Sequence, residues 1–157
     1  MTTLDDRFRP DGRGAAALFL DSSAIYAYFY PRDELHDDAR SAFEAIRTGE
    51  LPYRPLYTND YVLDEAVTRL RRYTSHAVAT DALTLLYSSD AIRLRRVTDD
   101  VFDDAVSRFE RYDDHGEISF TDHVIAAHAD ALGIHHVYTY DGDFDAFGLT
   151  VVPHYVE

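Results

Sequence analysis

The 157-residue chain has no cysteine and no lysine, only seven glycines, and no apolar run approaching the length of a membrane span. Without cysteine there are no disulfides, no iron–sulfur clusters and no thiolate zinc sites, which fits a cytosolic location. Without lysine there is neither a P-loop nor a lysine Schiff base. No signal-peptide pattern, internal repeat or low-complexity segment is present, so the expectation is a cytoplasmic protein without membrane association.

Acidity dominates what is there. Against 29 acidic residues stand 15 basic ones, every one an arginine, for a net charge of −14. Such a balance raises the question of disorder, but 12 tyrosines, 9 phenylalanines and an apolar fraction of 46% argue for a packed core. The length suits one domain, residues 15–157, preceded by a mobile tail over residues 1–14 in which Pro10, Gly12 and Gly14 lie among charges. A carboxylate-covered surface repels itself at low ionic strength and is relieved by screening, so a salt-adapted, haloarchaeal-like source is expected.

Periodicity sets out an α/β pattern. The apolar run Ala15–Leu20 reads as a buried parallel strand, and further strands are expected near 55–58, 91–97, 136–140 and 149–153. Helices are expected near 22–30, 35–48 with Gly49 as the stop, 59–73, 76–88, 99–112 and 119–132. Strands alternating with helices imply a parallel sheet covered on both faces.

Four acids stand out against this frame. Asp21 and Asp141 end two of the strands, and in open parallel sheets ligands bind beyond the carboxyl ends. Glu65 and Asp122 lie in amphipathic segments. Competing readings apply to each, since nearly a fifth of all positions are acidic. Ser119-Phe120-Thr121-Asp122 also fits a capping box. Asp141 beside Gly142 also fits a turn, with Asp143 and Asp145 as close neighbours. On a helical wheel Asp64 and Glu65 fall symmetrically at the two edges of the stripe Val62, Leu63, Ala66, Val67, Leu70, which leaves the choice between them open.

Four segments in order resemble the PIN domain family. Leu18-Phe19-Leu20-Asp21-Ser22-Ser23 is similar to its opening strand, and Tyr57 to Ala66 to the helix carrying its conserved Glu, a role that falls on Glu65. Ser119 to Ala126 is similar to the segment of its third acid. Thr139-Tyr140-Asp141-Gly142-Asp143-Phe144 is similar to its closing strand and turn, with Asp143 as a helper to Asp141. The short single-domain form resembles the toxin of VapBC toxin–antitoxin pairs, apart from the amino-terminal extension and the acidity. The resemblance implies a three-layer α/β/α fold with a five-stranded parallel sheet in order 3-2-1-4-5. It also implies a ribonuclease using Mg²⁺ or Mn²⁺ held by Asp21, Glu65, Asp122 and Asp141, with Ser23 and Thr121 behind them. Products would carry a 5′-phosphate and a 3′-hydroxyl. The expected partners are RNA, an antitoxin that lays an Arg over the cleft, and a second copy of the chain in a homodimer.

Carboxylates suit hard cations, and metal-assisted phosphodiester hydrolysis fits the donor set. The rival is a non-catalytic PIN-like module that binds RNA or protein. Zinc finds no support, because His123 and His128 are five apart and His135 and His136 point to opposite sides of a strand. Arginine clusters at 69, 71, 72 and at 93, 95, 96 either contact nucleic acid or balance nearby acids. Tyr26, Tyr28 and Tyr30 read as packing residues rather than base-stacking ones.

Overall fold

The apolar strand β1 (Ala16–Leu20) lies at the centre of the sheet, with β2 (Tyr53–Asn59) on one side and β4 (His136–Tyr138) on the other. Its position explains its composition, because a strand paired on both edges and covered on both faces has no polar side to present. β3 (Ile92–Arg95) and β5 (Thr150–Val152) close the edges, all pairings are parallel, and the order is β3-β2-β1-β4-β5. This computed structural model describes residues 3–113, 118–141, 144 and 147–154.

Side chains alternate across β1 and reveal the two covering layers. Phe19 meets His128 of α7 (Phe120–Ala131) at 5.8 Å between ring centroids. On the opposite face Tyr138, in register with Leu20, meets Phe43 of α3 (His36–Thr48) at 5.3 Å. Between β1 and α3 runs α2 (Ser22–Phe29). α4 (Asp60–Tyr73) and α5 (His76–Ser88) join β2 to β3. α6 (Asp99–Arg111) packs Val101 and Ala105 against Val124 and Ala127 of α7, which is why α7 is buried from Asp122 to Ala129. Sequence periodicity placed these elements well. Gly49 adopts φ 83° after α3, a left-handed stop that a side chain would strain.

Phe102 and Phe109 of α6 are 39% and 48% exposed. They lean edge-on against Phe120 instead of entering the core. No helix among the described residues is long and apolar enough to cross a membrane.

The amino-terminal segment corrects an expectation. Where a mobile tail was expected, α1 (Leu4–Phe8) forms under a capping box of Thr3 and Asp6 and docks on the core. Phe8 is fully buried, edge-on to Tyr138 at 5.1 Å, and its carbonyl accepts from the Tyr53 hydroxyl. Arg7 pairs with Asp38, and the Asp11 amide donates to His136 Nε2 at 3.0 Å. Two apolar side chains, Leu4 and Phe8, among charges are too short a signal for periodicity to register.

Candidate active site

The strand order turns back between β1 and β4, and the residues following these two strands meet there. Asp21 donates its amide to the Tyr138 carbonyl at 3.0 Å, which continues the ladder one step past the strand ends. With φ −86° and ψ 162° Asp21 then breaks into α2 as its N-cap. One carboxylate oxygen, Oδ1, accepts from the Ser22 amide at 2.7 Å, and Oδ2 accepts from Thr139 Oγ1 at 2.7 Å. Thr139 Oγ1 in turn accepts from the Asp141 amide at 2.9 Å, and Ser23 Oγ accepts from the Tyr140 amide at 2.9 Å. The carboxyl ends of β1 and β4 are thus joined through two hydroxyls.

Glu65 arrives from α4. This helix starts where the buried Asn59 ends β2 and caps it, accepting from the Val62 amide at 2.9 Å. Val62, Ala66 and Leu70 face the core, leaving Asp64 and Glu65 on the exposed flank. Their hydrogen bonds separate them. Ser22 Oγ donates to Glu65 Oε1 at 2.6 Å, whereas among the described residues Asp64 takes only Thr68 Oγ1 of its own helix at 3.4 Å. Glu65 is therefore the acid tied to the end of β1.

Asp122 opens α7 and fills the capping role that its sequence context allowed. Ser119 N–H donates to Asp122 Oδ2 at 3.2 Å, and Asp122 N–H donates to Ser119 Oγ at 3.1 Å. It is nonetheless part of the acid group. Burial pushes the Asp122 carboxyl up to about 6; the Ser119 hydrogen bonds oppose this, and the charges of Asp141 and Glu65 add to it. Burial likewise raises Asp21 to about 6 against the hydrogen bonds from Thr139 and Ser22, with Asp122 and Glu65 adding repulsion. The charge of Glu65 thus reaches both Asp21 and Asp122, that of Asp122 reaches Asp21, and that of Asp141 reaches Asp122.

Among the described residues no three Asp, Glu, His or Cys side chains converge closely enough to form a ready metal cage. Two of the carboxylates are drawn aside, Asp122 toward Ser119 and Glu65 toward Ser22. The donor set still fits a hard divalent cation, because such ions take carboxylate oxygens and Mg²⁺ keeps several waters while using one or two of them. Asp143 and Asp145, the neighbours of Asp141, lie outside the described residues.

Ser23 lies 3.4 Å from Asp21 Oδ2 and 3.1 Å from Thr139 Oγ1. Thr121 lies apart from that network and lines, with Glu65, a groove of about 800 Å³ along α4. Ser22 and Thr139 escaped sequence reasoning as the hydroxyls that hold Glu65 and Asp21. Thr139 had a signal, since it stands between the end of β4 and Asp141, two residues before that acid. The arginine clusters do not act together. Arg69 and Arg72 line the α4 groove, while Arg93 and Arg95 cover Tyr57 at 5.8 and 5.7 Å. Tyr26 and Tyr28 are packed, Tyr26 against Tyr30 and Tyr28 against Phe43. The histidines also serve packing. His123 is ringed by Phe109, Tyr112 and Phe147, and His128 Nδ1 meets Asn59 Nδ2 at 3.2 Å.

The profile of the PIN domain family matches residues 18–148, so the chain belongs to that family. The structure is similar to the VapC20 toxin of Mycobacterium tuberculosis, described as cleaving the sarcin–ricin loop. The identity is 29% and the TM-score 0.75, over 85% of this chain and 96% of the other. A toxin–antitoxin complex from Klebsiella pneumoniae is similar at 19% identity and TM-score 0.61, over 90% of this chain and 100% of the other. VapBC2 of Rickettsia felis, bound to a promoter DNA fragment, is similar at 14% identity and TM-score 0.62, over 86% and 96%. A search of curated proteins finds no match. The chain is a VapC-like PIN domain protein.

Proposed function

We propose that this protein is a divalent-metal-dependent endoribonuclease, the toxin of a type II toxin–antitoxin pair. One observation carries the reading: four acids are delivered from β1, α4, α7 and the end of β4 to one cleft, where burial first, and the charge of neighbouring acids after it, raise Asp21 and Asp122 to about 6. Burying carboxylates beside one another is unfavourable for folding, and a bound cation offsets it. Mg²⁺ or Mn²⁺ would be held by Asp21, Glu65, Asp122 and Asp141, with Asp143 as a further donor. When bound, such an ion acidifies a water, orients a phosphodiester and stabilises charge on the leaving oxygen.

The chain's own residues set the stage. Thr139 and the Ser22 amide fix the Asp21 carboxylate, and Ser22 Oγ anchors Glu65. Both carboxylates that sit near 6 are largely ionised at neutral pH and take up protons just below it, so cation and proton compete for them. The similarity to VapC20 and to toxin–antitoxin complexes supports RNA as the substrate and an antitoxin as the partner. A homodimer and a cytoplasmic setting are part of the same proposal.

A non-catalytic binding module is the second reading, favoured by the Ser119 and Ser22 bonds that draw Asp122 and Glu65 aside. The test is cleavage of a panel of labelled structured and single-stranded RNAs in molar KCl with Mn²⁺, with wild type and Asp21→Asn purified identically. Cutting by wild type alone supports the nuclease. Silence from both, with Mn²⁺ still raising wild-type melting, supports the module.

A further inference from the structure

We infer that the groove along α4 carries the RNA strand away from the acids, with Arg72 and Arg69 on its phosphates and the Tyr73 ring stacked on a base. The inference rests on the nuclease reading and adds the path of the substrate to it.

The groove holds about 800 Å³ and is lined by Asp60, Tyr61, Asp64, Glu65, Thr68, Arg69, Arg72, Tyr73 and Thr121. Glu65, Thr68, Arg69 and Arg72 follow the three-and-four spacing that puts side chains on one helix face. Glu65 lies within the acid cleft, so the groove is continuous with it. From Glu65 to Arg72 the helix rises about 10 Å, a span that reaches beyond the scissile phosphate to neighbouring nucleotides.

Charge along this face is divided by position. At the near end Asp60, Asp64 and Glu65 are acidic, whereas the far end holds Arg69 and Arg72 and no carboxylate. In a chain of net charge −14 a polyanion needs such a local reversal. Neither arginine is ion-paired among the described residues. Arg69 is also held in place. Its guanidinium lies 3.9 Å from the centroid of Tyr26, a ring only 5% exposed. A guanidinium has five N–H donors, so one held over a ring keeps donors for a phosphate.

Tyr73 completes the lane. It is 58% exposed at the groove's far end and makes no ring contact among the described residues. An uncommitted aromatic beside two arginines matches the stacking platforms by which proteins hold unpaired bases. This is the feature that favours single-stranded RNA over an acidic peptide, which has no base to stack.

The test measures anisotropy of a labelled single-stranded oligoribonucleotide of mixed sequence, with Ca²⁺ replacing Mn²⁺, across a KCl titration. Wild type is compared with Arg72→Ala, Tyr73→Ala and Arg71→Ala. Arg71 is the control, because it lies on the same helix but lines a different cavity with Val67 and His76. Arg72→Ala is expected to weaken binding and make the log–log salt slope shallower by about 0.7. Tyr73→Ala is expected to weaken binding by about tenfold with the slope unchanged. Arg71→Ala should bind as wild type, and all three should keep the Mn²⁺-induced rise in melting temperature. If wild type binds and cuts RNA while Arg72→Ala and Tyr73→Ala bind equally well, the lane is overturned and the nuclease reading stands. An effect of Arg71→Ala equal to that of Arg72→Ala also overturns it, because net charge alone would then explain both. If wild type neither binds nor cuts any RNA, the nuclease reading fails and the lane with it.

Discussion

Thr139 Oγ1 donates to Asp21 Oδ2 at 2.7 Å, so the residue after β4 fixes the carboxylate after β1. The bond crosses the point where strand order reverses, and it opposes the burial that raises Asp21. Thr139→Val keeps the shape and deletes the donor. A buried charged acceptor loses about 1.5–3 kcal/mol with its hydrogen bond, and the Asp21 pKa should climb further. The acid limb of the pH–rate profile is expected to move up in Thr139→Val and to return toward wild type in Thr139→Ser. A purely structural threonine would lower stability in the first variant without displacing that limb.

Asp21 itself makes stability depend on pH in an unusual direction. Its folded value of about 6 lies above the ordinary 3.8, so the folded state holds its proton more tightly than the unfolded one. The contribution is complete below about pH 4 and is lost as pH rises through 6, amounting to roughly 3 kcal/mol. In metal-free protein the stability of Asp21→Asn relative to wild type should therefore increase between pH 4 and pH 7. Urea denaturation at a series of pH values measures it, and a difference independent of pH would show that Asp21 is not strained in the fold.

The cation should reverse that loss. At one hundred times its dissociation constant, Mn²⁺ is expected to stabilise wild type by about 2.7 kcal/mol. The effect should fade below pH 6 as Asp21 and Asp122 take up protons. Differential scanning calorimetry with and without millimolar Mn²⁺ gives the answer, and no shift at pH 7.5 would count against the acids as a metal site.

The central strand and most helices were legible because the signals are long: β1 has no polar residue, and α3 and α4 are periodic over several turns; the sheet order came from the family resemblance alone. The four acids stand in family order, two after strand ends and two on helices. What the chain hid was short-range chemistry. Glu65 differs from Asp64 only through Ser22 Oγ, a contact between residues 43 positions apart that no wheel contains. Docking of α1 hid for a related reason, since Leu4 and Phe8 stand among charges and Phe8 meets its partners Tyr53 and Tyr138 only once the sheet exists.

That docking is testable. Phe8 is fully buried against Tyr138, so Phe8→Ala should cost about 3 kcal/mol, limited by the free energy at which α1 detaches. Thermal melts of Phe8→Ala and of a variant lacking residues 1–14 should both fall below wild type. A free tail would leave both melting with wild type.

Salt should act on the whole molecule. Five ion pairs occur among the described residues, so most of the acids described there stand without a basic partner in contact. Molar KCl shortens the Debye length to about 3 Å, within which one surface carboxylate scarcely senses the next. The melting temperature is expected to rise steadily from dilute buffer to molar KCl, and NaCl should act similarly if screening is the cause. The pocket acids are less accessible to screening than the surface, so Asp21→Asn should keep most of the salt response while losing the Mn²⁺ response. A melting temperature that stays flat with KCl would exclude salt adaptation, and a salt response lost in Asp21→Asn would place its origin in the cleft rather than on the surface.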